Sequence, residues 1–388
     1  MAGSISRRNL LAGAGSAVLA GSLYGASPSR MTYQSLKNLG DLARPDANGI
    51  RLPAGFHSRR VAVSGSRVAL SGGGTSGYRW HSAPDGGACF GTDDRGWIYV
   101  SNAELDRGGG AGAIRFDSAG GVVGAMEILR GTRRNCAGGA TPWGTWLSCE
   151  EVADSKVWEC DPLGGPARLC PGLGSFEHEA VAIDPVGMKA YLTEDDRNGC
   201  LYRYVPESVT NGIMDLVNGR LEVAVRGARG AVRWETVPRP NPGRWDTPTR
   251  DQVKGAIRFN GGEGIWYHQG LVYFATKGDD RIHVYDIAGS EWGVLYDRKT
   301  AANPILKGVD NLMVTPDGHI LVAEDGGNME IVVLGPWGDV YPLLQVTGHS
   351  GSEVTGPALN PRGDQLCFSS QRGRDGRGMT YVVTGPFS

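Results

Sequence analysis

The chain has 388 residues, a formal net charge of −2, 61 glycines and 10 tryptophans. Near-neutral charge without a basic stripe interleaved with aromatics argues against a nucleic-acid partner, and the lack of an apolar run of about 18 residues argues against a stable membrane span. The length allows one large domain or two ordinary ones, and the glycine excess suits many tight turns between short strands.

Residues 1–30 read as a twin-arginine (Tat) signal peptide. Ser6-Arg7-Arg8-Asn9-Leu10-Leu11 precedes a weakly apolar Ala/Gly/Leu stretch, and small residues near Ala26 suit a cleavage site. This predicts a protein that folds first, is exported by the Tat machinery, and works in the periplasm or outside the cell. Residues 31–50 read as a linker and 51–388 as a single domain. Seven cysteines leave at least one unpaired in an exported chain. Cys160 and Cys170 flank a short Gly/Pro loop, which fits either a disulfide or two separate buried thiols. Ser71-Gly-Gly-Gly-Thr-Ser-Gly77 lacks the Gly-Lys-Ser/Thr ending of a phosphate-cradling loop and reads as a flexible loop.

From about residue 84 one theme recurs: a Gly-containing turn feeding an alternating apolar strand. It is seen in Asp94-Arg-Gly-Trp-Ile-Tyr-Val100, Asp184-Pro-Val-Gly-Met-Lys-Ala-Tyr-Leu192, His268-Gln-Gly-Leu-Val-Tyr-Phe-Ala275, Thr315-Pro-Asp-Gly-His-Ile-Leu-Val322 and Asn360-Pro-Arg-Gly-Asp-Gln-Leu-Cys-Phe368. Each copy is a hairpin signal, and the repetition predicts an all-β propeller of four-stranded blades. The Arg-, Pro- and Asn-rich segment near 206–254 breaks the pattern and reads as an excursion from it.

Four of the strands end on acid: at Glu104, at Glu150-Glu151, at Glu194-Asp-Asp196 and at Glu324-Asp325. In a propeller, equivalent strand ends converge on one mouth of the central channel. Gathered carboxylates repel one another unless cations neutralise them, and calcium takes six to eight oxygen ligands. The competing reading is a set of solvated turn residues. The stretch Asn135-Cys-Ala-Gly-Gly-Ala-Thr-Pro-Trp-Gly-Thr-Trp-Leu-Ser-Cys-Glu-Glu151 is a turn running into an aromatic strand, with a thiol at its start and two carboxylates at its end. A soft thiolate and a hard carboxylate together could ligate a transition metal, and a Trp-rich core strand with solvated glutamates is the alternative.

This stretch resembles the signature of the PhoX-type alkaline phosphatases. The likeness extends to Phe176-Glu-His-Glu-Ala-Val-Ala-Ile-Asp184, Glu263-Gly-Ile-Trp-Tyr267, Asp310-Asn-Leu312, Glu324-Asp-Gly326 and Ser352-Glu-Val-Thr-Gly-Pro357, and so covers most of the chain after about residue 50. The resemblance implies six blades, a calcium- and iron-containing centre at one mouth of the channel, and hydrolysis of small phosphate monoesters. Carried over residue by residue, it implies that Cys136, Glu151 and Glu179 hold Fe3+, and that Glu104, Glu263 and Glu324 hold Ca2+. His178 would be an outer partner of the centre, and no serine nucleophile is needed. The chain departs from the family at Gly261, where the enzymes carry a phosphate-contacting arginine, and at Ala103, where histidine is frequent. A calcium-dependent lactonase or esterase on the same scaffold, and a non-catalytic metal-binding propeller, are the rival readings. The thiol of Cys136 speaks against a calcium-only enzyme.

Overall fold

The computed structural model describes Leu36 and residues 39–336 and 338–387. The 1–30 segment read as a Tat signal therefore lies outside the described residues. Among the described residues there is no α-helix, and no helix is long and apolar enough to cross a membrane.

Six antiparallel sheets stand around a central channel. Blade 1 runs through Pro84–Gly91, Trp97–Ala103, Gly109–Phe116 and Val122–Thr132, from the channel outward. Blade 2 begins at Asn135–Ala140, followed by Trp146–Glu150. Blade 3 begins at His178–Asp184 and Lys189–Glu194, blade 4 at Gly262–His268 and Leu271–Thr276, blade 5 at Val309–Val314 and Ile320–Glu324, and blade 6 at Val354–Leu359 and Gln365–Ser370. The all-β, six-bladed fold expected from the sequence is the fold observed. Each repeated Gly-turn motif is the hairpin between a blade's innermost strand and its second strand.

The ring is closed by the chain's beginning. His57–Val63 pairs with Met379–Thr384 as the outermost strand of blade 6, while Ile50–Arg51 adds an outer strand to blade 5. Within 206–254, Gly219–Arg226 and Val232–Thr236 are the outer strands of blade 3, and Val209–Thr210 with Ile213–Met214 forms a small separate hairpin.

Alternation along each strand puts one side chain in two against a neighbouring blade. The result is six apolar clusters, one at each seam. Trp97, Tyr99, Ile114 and Phe116 of blade 1 meet Cys367 and Val382 of blade 6, for example, and Tyr191 of blade 3 meets Phe274 and Tyr285 of blade 4. Each fully buried aliphatic or aromatic side chain contributes about 1.5–3 kcal/mol, so the seams hold the blades at fixed angles. At the channel the innermost strands crowd together. A Cβ on Gly139 would fall 1.9 Å from the Val181 carbonyl oxygen, and one on Gly264 would fall 2.6 Å from the Leu312 nitrogen, so only glycine fits there.

All seven cysteines are free thiols. Cys160 ends one strand and Cys170 follows its partner, whose register matches Trp158 with Leu169 and Glu159 with Arg168. That pairing sets the two cysteines opposite other residues and apart from each other, so the disulfide reading does not hold in this structure.

Candidate metal centre

One mouth of the channel is built from two sequence positions repeated around the ring. The first is the start of each innermost strand, which supplies Asp85, Cys136, Glu179, Glu263, Asp310 and Glu353. The second is the residue that follows each second strand, which supplies Glu104, Glu151, Asp195, Lys277, Asp325 and Gln371. The two strands are antiparallel neighbours, so the start of one lies beside the end of the other. Six blades thus bring twelve positions to one opening.

These side chains form four groups in which candidate ligand atoms all lie within 4.8 Å of one another: Cys136 with Glu151 and Glu179; Asp85 with Glu104 and Glu353; Glu179 with Glu263 and Asp310; and Asp310 with Asp325 and Glu353. Glu179, Asp310 and Glu353 each belong to two groups, which makes the cluster continuous. Both carboxylate oxygens of Glu179 are buried without a hydrogen-bond partner, and the residue is 1% exposed. A buried carboxylate left unpartnered is costly, and a coordinated cation removes that cost.

The titration behaviour follows from the same crowding. Burial, with the neighbouring carboxylates, holds Asp85, Glu179 and Asp310 well above the usual range, and raises the Cys136 thiol in the same way. Burial pushes Glu151 and Glu263 up to about 8, against the opposing pull of Arg134 on the first and Lys277 on the second. Glu353 also rises to about 8, through burial and then through Asp310 and Asp325. Without cations the mouth would keep protons near neutral pH. A bound cation restores the ionised ligands, because opposite charge favours the charged form. The donor set of one thiol and many carboxylates fits a transition metal beside hard, oxygen-seeking cations.

Polar contacts hold the ligand-type residues in place. Asn102 donates to the carbonyl oxygens of Ala137 at 2.7 Å and Cys136 at 3.3 Å. Its Oδ1 accepts from Trp146 Nε1 at 2.9 Å and from Ser148 Oγ at 2.8 Å. Asn135 Nδ2 donates to Ser148 Oγ at 2.9 Å. This buried network ties the Cys136 backbone to blades 1 and 2 together. Gln371 Nε2 bridges Asp85 Oδ2 at 2.5 Å and Glu104 Oε2 at 2.8 Å.

Five of the six residues singled out in the sequence lie in the cluster: Glu104, Cys136, Glu151, Glu179 and Glu263. Glu324 does not. It points into blade 5, where one carboxylate oxygen accepts the Lys307 N–H at 3.0 Å and the other the Glu330 N–H at 3.2 Å. Its neighbour Asp325 faces the mouth, because successive strand residues point to opposite sides. His178 likewise turns away from Glu179, with its Nε2 3.1 Å from the Gly174 carbonyl oxygen and its ring tilted against that of Phe176. Burial lowers its pKa to about 4, as for a structural imidazole. Asp195 and Asp325 were among the acidic strand ends expected at the mouth, without a ligand role, whereas the sequence reading gave no role there to Asp85, Asp310, Arg134 or Lys277. The recurring strand-start pairs Asp85-Gly86, Cys136-Ala137, Glu179-Ala180, Glu263-Gly264 and Asp310-Asn311 were the available signal.

A propeller whose mouth collects carboxylates and a thiol from all but a few of its strand ends is of the cation-gathering class. A sequence profile of the PhoX alkaline phosphatases matches residues 93–164 and 157–293, together just over half of the chain. The chain belongs to the PhoX alkaline phosphatase family, and with it to the phosphoric ester hydrolases. Among solved structures it is similar to Pseudomonas fluorescens PhoX in complex with vanadate, a transition-state analogue. That likeness has 16% identity, 89% of this chain and 97% of the other covered, and a TM-score of 0.71. A Bacteroides thetaiotaomicron protein of unknown function shows 9% identity over 84% of this chain and 76% of its own, with a TM-score of 0.50. A Xanthomonas campestris gluconolactonase shows 11% identity over 90% of this chain and 99% of its own, with a TM-score of 0.48. No curated protein sequence matches the chain.

Proposed function

We propose that this protein hydrolyses phosphate monoesters at a cation-loaded centre in the channel mouth. The observation that carries the reading is the meeting of Cys136, Glu151 and Glu179, with both Glu179 oxygens otherwise unpartnered. These three residues would hold iron, since a thiolate beside carboxylates suits a transition metal. The all-oxygen groups around Glu263, Glu104 and Asp325 would hold calcium. Asp325 takes the place first given to Glu324, whose oxygens are engaged by backbone N–H groups.

Bound cations would supply Lewis-acid polarisation of the phosphoryl oxygens and neutralise charge that develops on them. The chain's own residues do the rest. The Asn102 network orients Cys136, and the Gln371 bridge fixes Asp85 relative to Glu104. Beyond the centre, a cavity of about 150 Å³ continues along the innermost strands past Gly138, Ala180, Ile265 and Leu312. The Tat-type leader motif supports export to the periplasm or beyond, which deletion of residues 1–30 followed by cell fractionation would test.

The deciding experiment is metal analysis of the full chain from a Tat-competent host, with an aryl phosphate assay on the same samples and on Cys136→Ser. Iron and calcium in the parent, iron lost in the variant, and turnover that follows iron are the expected results. Calcium alone, with hydrolysis of a lactone instead of a phosphate ester, would overturn the reading.

A further inference from the structure

The acids at the mouth are met by three cations that the proposed centre does not use: Arg372 pairs with one cluster carboxylate, Glu353, at 2.9 Å, whereas Arg134 and Lys277 each bridge two. Arg134 lies between blades 1 and 2. Its Nη2 is 3.1 Å from Glu151 Oε2 and 3.4 Å from Glu104 Oε1. Lys277 occupies the blade-4 slot of the second ring, with its Nζ 2.8 Å from Glu263 Oε1 and 3.5 Å from Asp325 Oδ2. The two are joined through the cluster: Arg134 pairs with Glu151, Glu151 groups with Glu179, Glu179 groups with Glu263, and Glu263 pairs with Lys277.

Their partners are ligand-type carboxylates of the cluster, and both side chains stay partly exposed. The side chains are 39% and 35% exposed. Carboxylates elsewhere in the blades are satisfied differently. Glu194, on the blade side, accepts the Cys200 N–H, the Tyr202 hydroxyl and Arg250. Arg134 is also held on purpose-built backbone. Its φ is +43°, a left-handed conformation uncommon outside glycine. It is pinned from both sides: its N–H donates to the Leu105 carbonyl at 2.7 Å, and its own carbonyl accepts from Glu151 at 2.8 Å. Lys277 is pinned similarly by its N–H donating to the Gly261 carbonyl at 2.8 Å.

A carboxylate that ligates a cation has less charge to offer a side-chain partner. Arg134 and Lys277 would then be left as pre-aimed positive groups at the rim of the cluster, one beside Glu151 and the other beside Glu263. Guanidinium binds phosphoryl oxygens in bidentate fashion, and an ammonium serves as a point charge. We infer that Arg134 and Lys277 form a two-sided clamp for the non-bridging oxygens of a phosphate group docked at the mouth. The clamp rests on the phosphatase reading for its substrate, but phosphate binding can be measured apart from turnover.

The test is calorimetric titration of inorganic phosphate into the metal-loaded full chain, its Arg134→Gln and Lys277→Gln variants, and Arg134→Lys. Metal content and melting temperature are measured on each sample, and aryl phosphate turnover on the parent. The clamp predicts that each Gln variant weakens phosphate binding by about tenfold or more at unchanged metal content, with Arg134→Lys in between. Unchanged phosphate affinity in both Gln variants overturns it, as does a parent that binds no phosphate. A loss of metal in the variants with phosphate affinity per loaded chain unchanged also overturns it, and makes the two cations mere neutralisers. A parent that binds phosphate through Arg134 and Lys277 but does not turn over an ester supports the clamp and removes the phosphatase reading.

Discussion

Glu324 and Asp325 are adjacent in sequence and have opposite surroundings. Glu324 is fully buried in blade 5 with both oxygens engaged by backbone N–H groups, while Asp325 faces the mouth in a cluster with Asp310 and Glu353. The same division recurs in blade 2, where Glu150 accepts the Arg133 N–H and Glu151 joins Cys136 and Glu179. Blade 3 repeats it with Glu194, which accepts the Cys200 N–H, followed by Asp195. One carboxylate of each pair anchors a loop through backbone N–H groups, and the next faces the mouth. Strand alternation decides which is which, and the anchored member fixes the geometry of the exposed one.

The sharpest way to break this comparison is to remove a mouth ligand. Glu179→Ala should abolish metal retention in the Cys136 group and lower turnover by on the order of 10³-fold. Elemental analysis and steady-state rates would show whether both fall together, and retained metal would place the centre elsewhere.

The pH dependence of the metal-free protein should follow next in size. Glu151, Glu263 and Glu353 have folded-state values raised to about 8. For an acid raised on folding, the folded state binds more protons than the unfolded state, so stability falls as pH rises through this range. Chelator-treated protein should therefore lose stability between about pH 4.5, the unfolded glutamate value, and pH 8. Metal-loaded protein should not show that loss, because its ligands are already ionised. Thermal melts at several pH values, with and without chelator, give the comparison. Equal slopes would mean that the cluster does not hold the cations.

Asn102→Ala would strand the Cys136 and Ala137 carbonyls and the Trp146 N–H in the interior. An expected cost of about 2–4 kcal/mol would be read as a shift in urea midpoint at constant slope, together with weakened iron retention. The smallest effect is the most discriminating. Glu324→Ala should cost about 1–3 kcal/mol through the freed Lys307 and Glu330 N–H groups while calcium content holds. Asp325→Asn should do the reverse, with calcium lost and the melting temperature of the chelated protein little changed.

The stretch from Asn135 to Glu151 already pointed to a thiol and a carboxylate acting together, because its length and composition are specific. The repeated Gly-turn strands pointed to blades because a hairpin is a local event, written in adjacent residues. The acidic strand ends pointed to a common mouth for the same reason. Parity was harder to read: choosing between Glu324 and Asp325 requires knowing which face of the strand lines the channel, and both are acids. Asp85, Asp310 and Glu353 were harder still, since each is one carboxylate at the start of a strand with no local sign of the other five blades.

The sequence by itself determined the all-β class, the blade repeat and the residue types of the centre, since turns, alternation and motif chemistry act over a few residues. Only the tertiary structure decided that six separate strand starts and six strand ends share one opening, which carboxylates the backbone had already claimed, and that Arg134 and Lys277 stand among the acids. Those facts depend on ring closure, which brings together residues as far apart as Asp85 and Gln371. The packing of six apolar seams sets that closure, and no local pattern encodes it.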